Sequence, residues 1–442
     1  MKKKTTQKSR KVFLSFLGTG NYKECRYSSK NLGESSVVKF VQEAILELIA
    51  CNWTSSDRAV IFLTDSAEQK NWSELDSRIK DYPFEIATVR VPEGYDENEI
   101  WEIFQSVYST IDQVDQVILD ITHGFRSLPM LAMVLLQYAK VLKKINVLGV
   151  YYGAFEALGP AFDIEKRIPN PDDRKAPLLD LSAFSDLQDW SAATDNFMEF
   201  GNARKLIQRL KKITNTNIHS DDIPPKDQNT IKEFAKRLNN LCEAISTVRG
   251  KEIIYGSIAT ELSKQLIDVE KIVRSIPQLS ALSELLLHID RRINGFERNN
   301  TRNGLIAIQW CIDNSLIQQG ITLLREFVIT ILFEKLNENY EEEFLRETLS
   351  NYLGMNPKIE FNYDRDEQKK RSQVKLIEKL NKLPQIEDIR KVFSKIAVHY
   401  RNDINHAGFV KSPKDSKLFV GSLYECFNKV KNLLDYEIIE SA

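Results

Sequence analysis

The chain has 442 residues, which is long for one domain and sufficient for two or three. Its residues are 42% hydrophobic and 28% charged, which excludes a disordered or fibrous protein. Lys and Arg total 61 and Asp and Glu total 62, so the net charge of −1 excludes a global attraction to nucleic acid, and any RNA or DNA site must be local. No uninterrupted apolar run reaches the roughly 18 residues of a membrane span.

The cysteines and the N-terminal residues indicate the cellular compartment in which the protein works. The cysteines are Cys25, Cys51, Cys242, Cys311 and Cys426. They are scattered, odd in number and without a Cys-x-x-Cys pair, which argues against a structural zinc and indicates a reducing compartment. The basic segment Met1–Lys11 precedes an apolar run that is too short for a secretory signal. We therefore expect a cytoplasmic protein with no metal, no cofactor and no membrane association.

The first 155 residues alternate between short apolar runs and helical patterns. The runs are Val12–Leu17, Ala59–Leu63, Ile86–Val91, Val117–Ile121 and Val147–Tyr152. Most are dense in Val, Ile and Phe, as buried parallel strands are. The helical patterns cover Val37–Leu48, Ser66–Lys80, Ile100–Ile111 and Leu128–Lys144. Ser127 is expected to cap the last helix. This alternation predicts an α/β domain with a doubly wound parallel sheet.

A proline-rich, charged segment follows the predicted sheet domain. Arg167–Pro177 contains three prolines and five charged residues, which predicts a linker. Beyond Leu178 the apolar residues recur at helical spacing, and strand-like alternation is almost absent. We therefore predict an α/β domain over residues 1–170, a linker and helical connector over 171–300, and an all-α domain over 301–442.

A glycine-rich turn directly follows the first predicted strand. It reads Gly18-Thr19-Gly20-Asn21-Tyr22. Glycines at such a place let backbone N–H groups approach a phosphate or another anion. The dinucleotide fingerprint needs a third glycine where this chain has Lys23, and Asp65 lies too far along the chain for its acidic residue. The pattern therefore argues against a nicotinamide-dependent enzyme, and a simple tight turn remains the alternative.

The densest polar cluster follows the fourth predicted strand. Its chemistry-bearing members are Asp120, Thr122, His123, Gly124, Phe125, Arg126 and Ser127. Open α/β sheets bind ligands beyond the carboxyl ends of their strands, where this loop lies. The helix that begins near Leu128 directs its positive end toward the same place. The loop therefore predicts an anion-binding site, with a capped turn and a structural histidine as the alternative.

Aromatic residues mark the end of the fifth predicted strand, Gly149–Ala154. Tyr152 and Gly153 would lie beside the two preceding clusters, where a tyrosine can stack on a base. Core tyrosines are the alternative interpretation. Together, the three clusters predict a pocket for an anionic, nucleotide-like ligand.

Near the end of the chain, Arg401-Asn402-Asp403-Ile404-Asn405-His406 combines an arginine with a histidine. On an ideal helix Arg401 and His406 lie about 140° apart, so they share a face only if the helix ends near Asn405. Gly408 favours such an end. A histidine moves protons near neutral pH and an arginine holds phosphate, which together suffice for metal-free RNA cleavage by the 2′-hydroxyl. The spacing alone also occurs by chance.

These motifs resemble two known families. Phe16–Tyr22 and Asp120–Pro129 resemble the signatures of CARF domains, the CRISPR-associated Rossmann fold. Arg401-Asn402-x-x-x-His406 resembles the Arg-polar-x-x-x-His motif of HEPN ribonucleases. Their order resembles that of the ancillary ribonucleases of type III CRISPR systems. The resemblance implies a Rossmann-like CARF sensor followed by a helical HEPN domain.

The resemblance also implies a ligand and a reaction. The sensor would bind cyclic oligoadenylate, with tetra-adenylate favoured over hexa-adenylate, across a homodimer or a larger homo-oligomer. The ligand contacts would come from the glycine-rich turn, from the cluster after the fourth strand, and from Tyr152 and Gly153. The HEPN domain would cleave single-stranded RNA without a metal, leaving 2′,3′-cyclic phosphate ends. His406 would transfer protons, Arg401 would stabilise the charged phosphorane, and Asn402 would orient the arginine or the substrate.

Two alternatives remain open at this point. The chain would instead be a non-catalytic, cyclic-nucleotide-gated regulator if its helical half bound nucleic acid or protein, although no basic recognition helix stands out. In addition, the sensor pocket could slowly cleave its own activator, with Thr19, Thr122, His123 and Arg126 as participants. His399 is interpreted as structural.

Overall fold

The computed structural model describes residues 9–124, 127–215, 223–277, 279–355 and 361–434. The chain divides into two compact units, Met1–Gln188 and Asp189–Ala442. The three-part division expected from the sequence stays a prediction. Within the described ranges, no helix is both long and apolar enough to cross a bilayer.

The first unit is built on an eight-stranded sheet. Its strands are β1 Lys11–Phe16, β2 Arg26–Ser29, β3 Gly33–Glu34, β4 Arg58–Leu63, β5 Glu85–Arg90, β6 Gln116–Asp120, β7 Asn146–Gly153 and β8 Lys175–Asp180. Their order is β3-β2-β8-β7-β6-β1-β4-β5. The run from β7 to β5 is parallel, as expected. β8 is antiparallel to β7, and β2 and β3 extend that edge. The predicted Rossmann-like fold is therefore confirmed, with a mixed rather than wholly parallel sheet.

Helices cover both faces of this sheet. They are α1 Val41–Ile49, α2 Asp65–Ala67, α3 Ser73–Ile79, α4 Glu97–Thr110, α5 Leu128–Leu142, α6 Ile164–Arg167 and α7 Ser182–Phe200, of which α7 continues into the second unit. A π-helical turn, Glu68–Trp72, joins α2 to α3. Ser127 is the N-terminal cap residue of α5, but its side chain makes no capping hydrogen bond because its own backbone is helical. The predicted capping role of Ser127 is therefore wrong.

Two apolar layers explain why the central strands read as continuous hydrophobic runs. On β1, Phe13 packs in the layer that contains Ile45 of α1 and Leu75 of α3. Its neighbour Leu14 packs in the opposite layer, with Val107 of α4 and others. Successive side chains of a strand point to opposite faces, so a strand that is covered on both sides is apolar at most positions.

The predicted linker Arg167–Pro177 is partly wrong, because its end belongs to the sheet. β8 begins at Lys175, and the preceding Arg174 is only 3% exposed. The Arg174 guanidinium donates hydrogen bonds to the carbonyls of Ile168 at 2.7 Å, Pro169 at 2.9 Å and Glu24 at 3.1 Å. Prolines and charges usually mark a solvated loop, but here one charged side chain is buried to satisfy three backbone carbonyls.

Replacing this side chain should destabilise the sheet edge. Arg174→Met should lower the free energy of unfolding by about 2–4 kcal/mol, because three carbonyls lose their donor. Urea unfolding monitored by circular dichroism measures the loss. Lys175→Met is the matched control, since Lys175 only forms an exposed ion pair with Glu34 and should contribute about 0–1 kcal/mol. Equal stability of the two variants would contradict the assigned role.

The second unit is helical throughout its described residues. Its helices are α8 Arg204–Asn215, α9 Pro225–Ser246, α10 Gly250–Tyr255, α11 Ile258–Ser275, α12 Leu282–Ile293, α13 Arg302–Asp313, α14 Ile317–Lys335, α15 Glu343–Gly354, α16 Glu367–Asn381, α17 Ile386–Ser394, α18 Asn402–Asn405 and α19 Lys417–Leu433. A π-helical turn, Lys395–Arg401, joins α17 to α18. From Phe327 to Phe333 every side chain of α14 is buried, as expected of a central core helix. The predicted helical C-terminal half is confirmed.

Candidate functional site

The three polar clusters of the first unit meet at one edge of the sheet. β1, β6 and β7 are adjacent and parallel, so their carboxyl ends lie side by side. Gly18–Tyr22 follow β1, Asp120–Gly124 follow β6, and Tyr152 and Gly153 end β7. The chain builds the sheet outward in opposite directions from β1, with β4 on one side and β6 on the other. This is the switch point at which open α/β sheets leave a ligand crevice.

A fully buried carboxylate, that of Asp120, connects these strand ends. Ser15 Oγ donates to Asp120 Oδ2 at 2.7 Å, and Thr122 donates to Oδ1 through its backbone N at 2.9 Å and its hydroxyl at 2.5 Å. Thr122 Oγ1 in turn accepts from Gly153 N at 2.8 Å. Gln42 Nε2 donates to Ser15 Oγ at 3.1 Å. Asp120 thus holds the loop in place from beneath the site, and its predicted contact with a ligand stays a prediction.

A half-buried imidazole lies above this carboxylate. The rings of His123 and Tyr22 meet edge to face, with centroids 4.8 Å apart. A Cβ on Gly18 would lie 3.2 Å from His123 Cβ and 2.7 Å from Tyr22 Oη, so the close approach of the two loops requires glycine there. His123 Nε2 is buried without a hydrogen-bond partner among the described residues. A buried, unsatisfied ring nitrogen at a strand-end crevice is a point at which a ligand can bind.

The Asp120–His123 pair sets the electrostatics of the crevice. Burial lowers the pKa of His123, and the attraction of Asp120 and Glu156 opposes this only in part. Burial likewise raises the pKa of Asp120, against the attraction of His123 and the hydrogen bonds from Ser15 and Thr122. His123 is therefore a neutral imidazole near pH 7, able to accept or donate one hydrogen bond.

Two residues that hold the glycine-rich turn were missed from the sequence. Asn71 Nδ2 donates to Gly18 O at 2.9 Å and to Gly20 O at 3.2 Å. Lys70 Nζ donates to Thr19 O at 2.7 Å, which brings a cation to the rim of the crevice. Both lie in the π-helical turn Glu68–Trp72, where nothing in the local sequence marks a π turn. Their polar character in a weak helical pattern was the one available signal.

The other predicted ligand residues lie at the same edge. The Gly124 backbone has φ +137°, and a Cβ there would meet Leu128 Cδ2 at 2.5 Å, so glycine is required. The hydroxyl of half-buried Tyr152 donates to Glu156, which raises the pKa of Tyr152 to about 12. Thr19, Gly20 and Asn21 form an exposed turn. Phe125 and Arg126 lie outside the described residues.

Protonation of the buried imidazole should destabilise the protein. An unfolded His titrates near pH 6.5, whereas folded His123 protonates only at lower pH, so between the two pKa values the unfolded state binds more protons. The free energy of unfolding should therefore fall from pH 7.5 to 5, by at most about 1.4 kcal/mol per pH unit from this residue. His123→Gln should lose that part of the slope in urea titrations.

Exposed His288 on α12 provides the control for this measurement. His288→Gln should retain the pH dependence of the wild-type chain. A His123→Gln variant whose stability falls as steeply as that of the wild type would contradict a buried, neutral His123.

The Arg–His motif lies where a helix ends. The π-helical turn ends at Arg401, α18 covers Asn402–Asn405, and His406 follows directly. His406 N donates to Asn402 O at 3.0 Å and Gly408 N donates to Asp403 O at 3.0 Å, with Gly408 at φ +77°. The helix ends at Asn405, as the sequence predicted, but the first left-handed residue after it is Ala407, with φ +51°, rather than Gly408. Buried Asp403 accepts from Lys414 N at 2.6 Å and so holds the loop that follows.

Arg401 lies in a cationic environment that the sequence did not reveal. Its Nε is buried and has no hydrogen-bond partner among the described residues. Burial lowers the pKa of Arg401, as does the nearby charge of Arg325, while Glu326 opposes both. Glu326 Oε2 accepts from Arg346 at 2.8 Å, and its other oxygen pairs with Arg325. One carboxylate thus faces three guanidinium groups, a charge balance that favours an anion.

Asn402 and His406, which follow Arg401 in the chain, are exposed. His399, on the π-helical turn, is exposed as well. The catalytic roles expected of Arg401, Asn402 and His406 stay predictions. Within the described residues, no group of three or more His, Cys, Asp or Glu side chains could hold a metal ion.

Residues 12–156 match the family model described as the CARF domain of the CRISPR system endoribonuclease Csx1. The first unit of the chain therefore carries a CARF domain, as the sequence motifs predicted.

Two further similarities extend beyond these residues. The chain is 26% identical over 252 residues to the CRISPR-associated protein MJ1674 of Methanocaldococcus jannaschii, covering 55% of this chain and 33% of that protein. It thus spans about a third of the length of this curated relative. A solved structure titled Enterococcus italicus Csm6 bound to cyclic hexa-2′-fluoro-hexa-dAMP aligns with 97% of this chain and 94% of its own, at 11% identity and a TM-score of 0.42.

Proposed function

We propose that the chain is a cyclic-oligoadenylate-activated, metal-independent endoribonuclease of type III CRISPR defence. The observation that carries this proposal is the combination of a CARF domain with an Arg401–His406 motif whose arginine lies in a cationic cluster. The CARF domain senses the second messenger, and the helical half cleaves single-stranded RNA.

The activator binds at the ends of β1, β6 and β7. Exposed backbone N–H groups at Thr19, Gly20 and Asn21 contact its phosphates. Lys70 adds a positive charge at the same rim. His123 Nε2, which lacks a partner among the described residues, hydrogen-bonds the bound ligand. The adenine bases stack near Tyr152.

RNA cleavage uses the exposed end of α18. His406 transfers protons to or from the 2′-hydroxyl and the leaving 5′-oxygen. Arg401 stabilises the negative charge that develops on the phosphorane, because its half-buried guanidinium retains full charge in a medium of low dielectric constant. Asn402 orients the substrate or the arginine. The products carry a 2′,3′-cyclic phosphate and a 5′-hydroxyl, and no metal takes part.

Cleavage of a fluorescent single-stranded RNA in EDTA tests this function. The wild-type chain should cleave only when cyclic tetra-adenylate or cyclic hexa-adenylate is added, and tetra-adenylate is the expected activator. His406→Ala should reduce the rate by roughly 10²–10⁴-fold, because proton transfer is lost. Isothermal titration should show unchanged binding of the ring.

His399→Ala, on the adjoining π-helical turn, is the matched control and should retain most of the activity. Undiminished cleavage by a clean His406→Ala preparation would contradict the catalytic assignment. Ring binding without any RNA cleavage by the wild-type chain would instead favour a non-catalytic regulator whose helical half binds nucleic acid or protein.

We further propose that the protein acts as a homodimer. One face of α5 exposes Met130, Val134, Tyr138 and Val141, which are between 47% and 73% accessible. In the second unit Phe409, Leu418 and Tyr424 are exposed around the Arg–His motif. Exposed apolar side chains of this kind mark interfaces, and we assign the α5 face to contact with a second copy of the chain.

Charges on the α5 face should weaken the dimer. The double variant Val134→Lys, Val141→Lys should shift the chain toward the monomer in sedimentation velocity and reduce activated cleavage, because two ammonium groups would be buried without partners. Gln105→Lys, on the exposed side of α4, should have no effect. An unchanged sedimentation coefficient of the double variant would show that α5 lies outside the interface.

A further inference from the structure

A cavity of about 420 Å³ opens in the helical unit at a place that the Arg–His motif does not occupy. It lies between α10, α13 and α14 and the segment before α15, and none of Arg401, Asn402 or His406 lines it. Its volume is within the range of about 300–1,000 Å³ that is typical of small-ligand pockets. The nature of its walls indicates what it binds.

One wall of the cavity is apolar and largely aromatic. Leu323 and Phe327 of α14 and Ile253 of α10 line it and are at most 5% exposed. Beside them Tyr255 and Tyr340 stack on each other, with ring centroids 4.5 Å apart and planes at 14°. Such a wall suits the face of a flat, aromatic ligand.

Charged groups form a second wall. Arg346 Nη2 donates to Glu326 Oε2 at 2.8 Å, and both side chains line the cavity while retaining part of their exposure. A guanidinium beside a carboxylate places hydrogen-bond donors and acceptors close together in this wall. This arrangement complements the donor and acceptor edge of a nucleobase better than it complements an aliphatic ligand.

The mouth of the cavity carries cations. Arg249 is exposed and forms no ion pair within the described part of the chain. Lys251 pairs with Glu341, but both side chains are at least half exposed, so the pair is weak and a phosphate can replace the carboxylate. Cations at the mouth and apolar surface inside match a nucleotide whose base enters while its phosphate remains outside.

The cavity shares Glu326 with the surroundings of Arg401. Glu326 pairs with Arg346 in the cavity wall and with Arg325, and both Arg325 and Glu326 act electrostatically on Arg401. The cavity and the motif thus lie on one continuous cationic cluster, which a single RNA strand can follow.

We propose that this cavity binds one nucleobase of the substrate RNA, flipped out of the strand, while Arg249 and Lys251 contact the adjoining phosphates. The inference rests on the proposed function and adds a subsite to it. A base held there would position the scissile phosphate at Arg401 and would make cleavage sensitive to the base at one position. The ligand of the cavity is therefore a nucleotide unit, and we assign this unit to the substrate RNA rather than to a free mononucleotide.

Gly250 offers a direct way to fill the cavity. A Cβ on Gly250 has Leu323 Cδ2 at 3.9 Å as its nearest neighbour, so a larger side chain can enter the cavity without a clash at its base. Gly250→Phe should fill the space that the nucleobase needs. Gly250→Ala is the matched control, because one methyl group leaves most of the volume free.

Both Gly250 substitutions are made in the His406→Ala chain, and fluorescence anisotropy measures binding of a labelled 12-nucleotide RNA in the presence of the activating ring. Gly250→Phe should bind at least about 10-fold more weakly than Gly250→Ala. A series of RNAs, each with one abasic nucleotide at a different position, locates the bound base. One member of the series should bind the Gly250→Ala variant more weakly than the intact RNA does. No member should bind the Gly250→Phe variant more weakly than the intact RNA does, because the cavity is already filled. Equal RNA affinities of the two variants would overturn the proposal.

A second substitution keeps the test valid if Gly250→Phe misfolds. Arg249→Glu changes only an exposed side chain and should weaken RNA binding and lower the salt dependence of log Kd by roughly one counterion. Lys271→Glu, on exposed α11 surface, should change neither. Binding of AMP and GMP is measured separately. Tight binding of a free mononucleotide that RNA does not displace would overturn the assignment of the cavity to the substrate RNA.

The subsite and the proposed function fail separately. Equal affinities of the Gly250 variants, combined with ring-dependent cleavage that requires His406, would overturn the subsite alone. RNA that binds through the cavity but is never cleaved by the wild-type chain would overturn the ribonuclease activity alone.

Discussion

The CARF domain depends on one buried carboxylate. Asp120 has no exposed surface and accepts hydrogen bonds from Ser15 and Thr122, and the Thr122 hydroxyl accepts from Gly153 N. These bonds connect the carboxyl ends of β1, β6 and β7. A buried charge is tolerated only when such donors compensate for lost solvation, so the three strand ends must keep this arrangement. The crevice above them is therefore preorganised.

The buried Asp120 carboxylate also influences the protonation state of His123. The carboxylate attracts a proton to the imidazole, while burial opposes protonation more strongly. The result is a neutral ring nitrogen held beside an exposed, glycine-rich turn. Asn71 and Lys70 hold that turn from the other side through its carbonyls, which leaves the backbone N–H groups available to a ligand. Rigid support and unsatisfied donors or acceptors at the surface are the combination that a binding site needs.

In the helical unit, one carboxylate likewise connects several charged side chains. Glu326 holds Arg325 and Arg346, and Arg401 adds a third guanidinium to the same cluster. The whole chain has a net charge of −1, so attraction for an anion depends on local clusters of positive charge such as this one rather than on the charge of the whole chain.

Periodicity identified much of the fold, and its failures have physical causes. β1, β4 and β6 were found because burial on both faces makes them apolar along most of their length. β7 and the edge strand β5 are less buried but are still rich in apolar residues. β2 and β3 were missed because they are short, and β8 because a proline and exposed side chains interrupt its apolar pattern. Ser127 was expected to cap α5 from its residue type, but its own helical backbone directs the hydroxyl away from the free N–H groups.

By itself, the sequence determined that a doubly wound sheet is followed by helices, and it predicted candidate site residues, because residue type and apolar spacing are local properties. The motif residues Gly18–Tyr22, Asp120–Gly124 and Arg401–His406 could be named in this way. Only the tertiary structure decided that Asn71 and Lys70 hold the glycine-rich turn, that Arg174 is buried, and that Arg325 and Glu326 act electrostatically on Arg401. These are contacts between residues far apart in the chain, and their strength depends on burial and on neighbouring charge, neither of which any local pattern of residues contains.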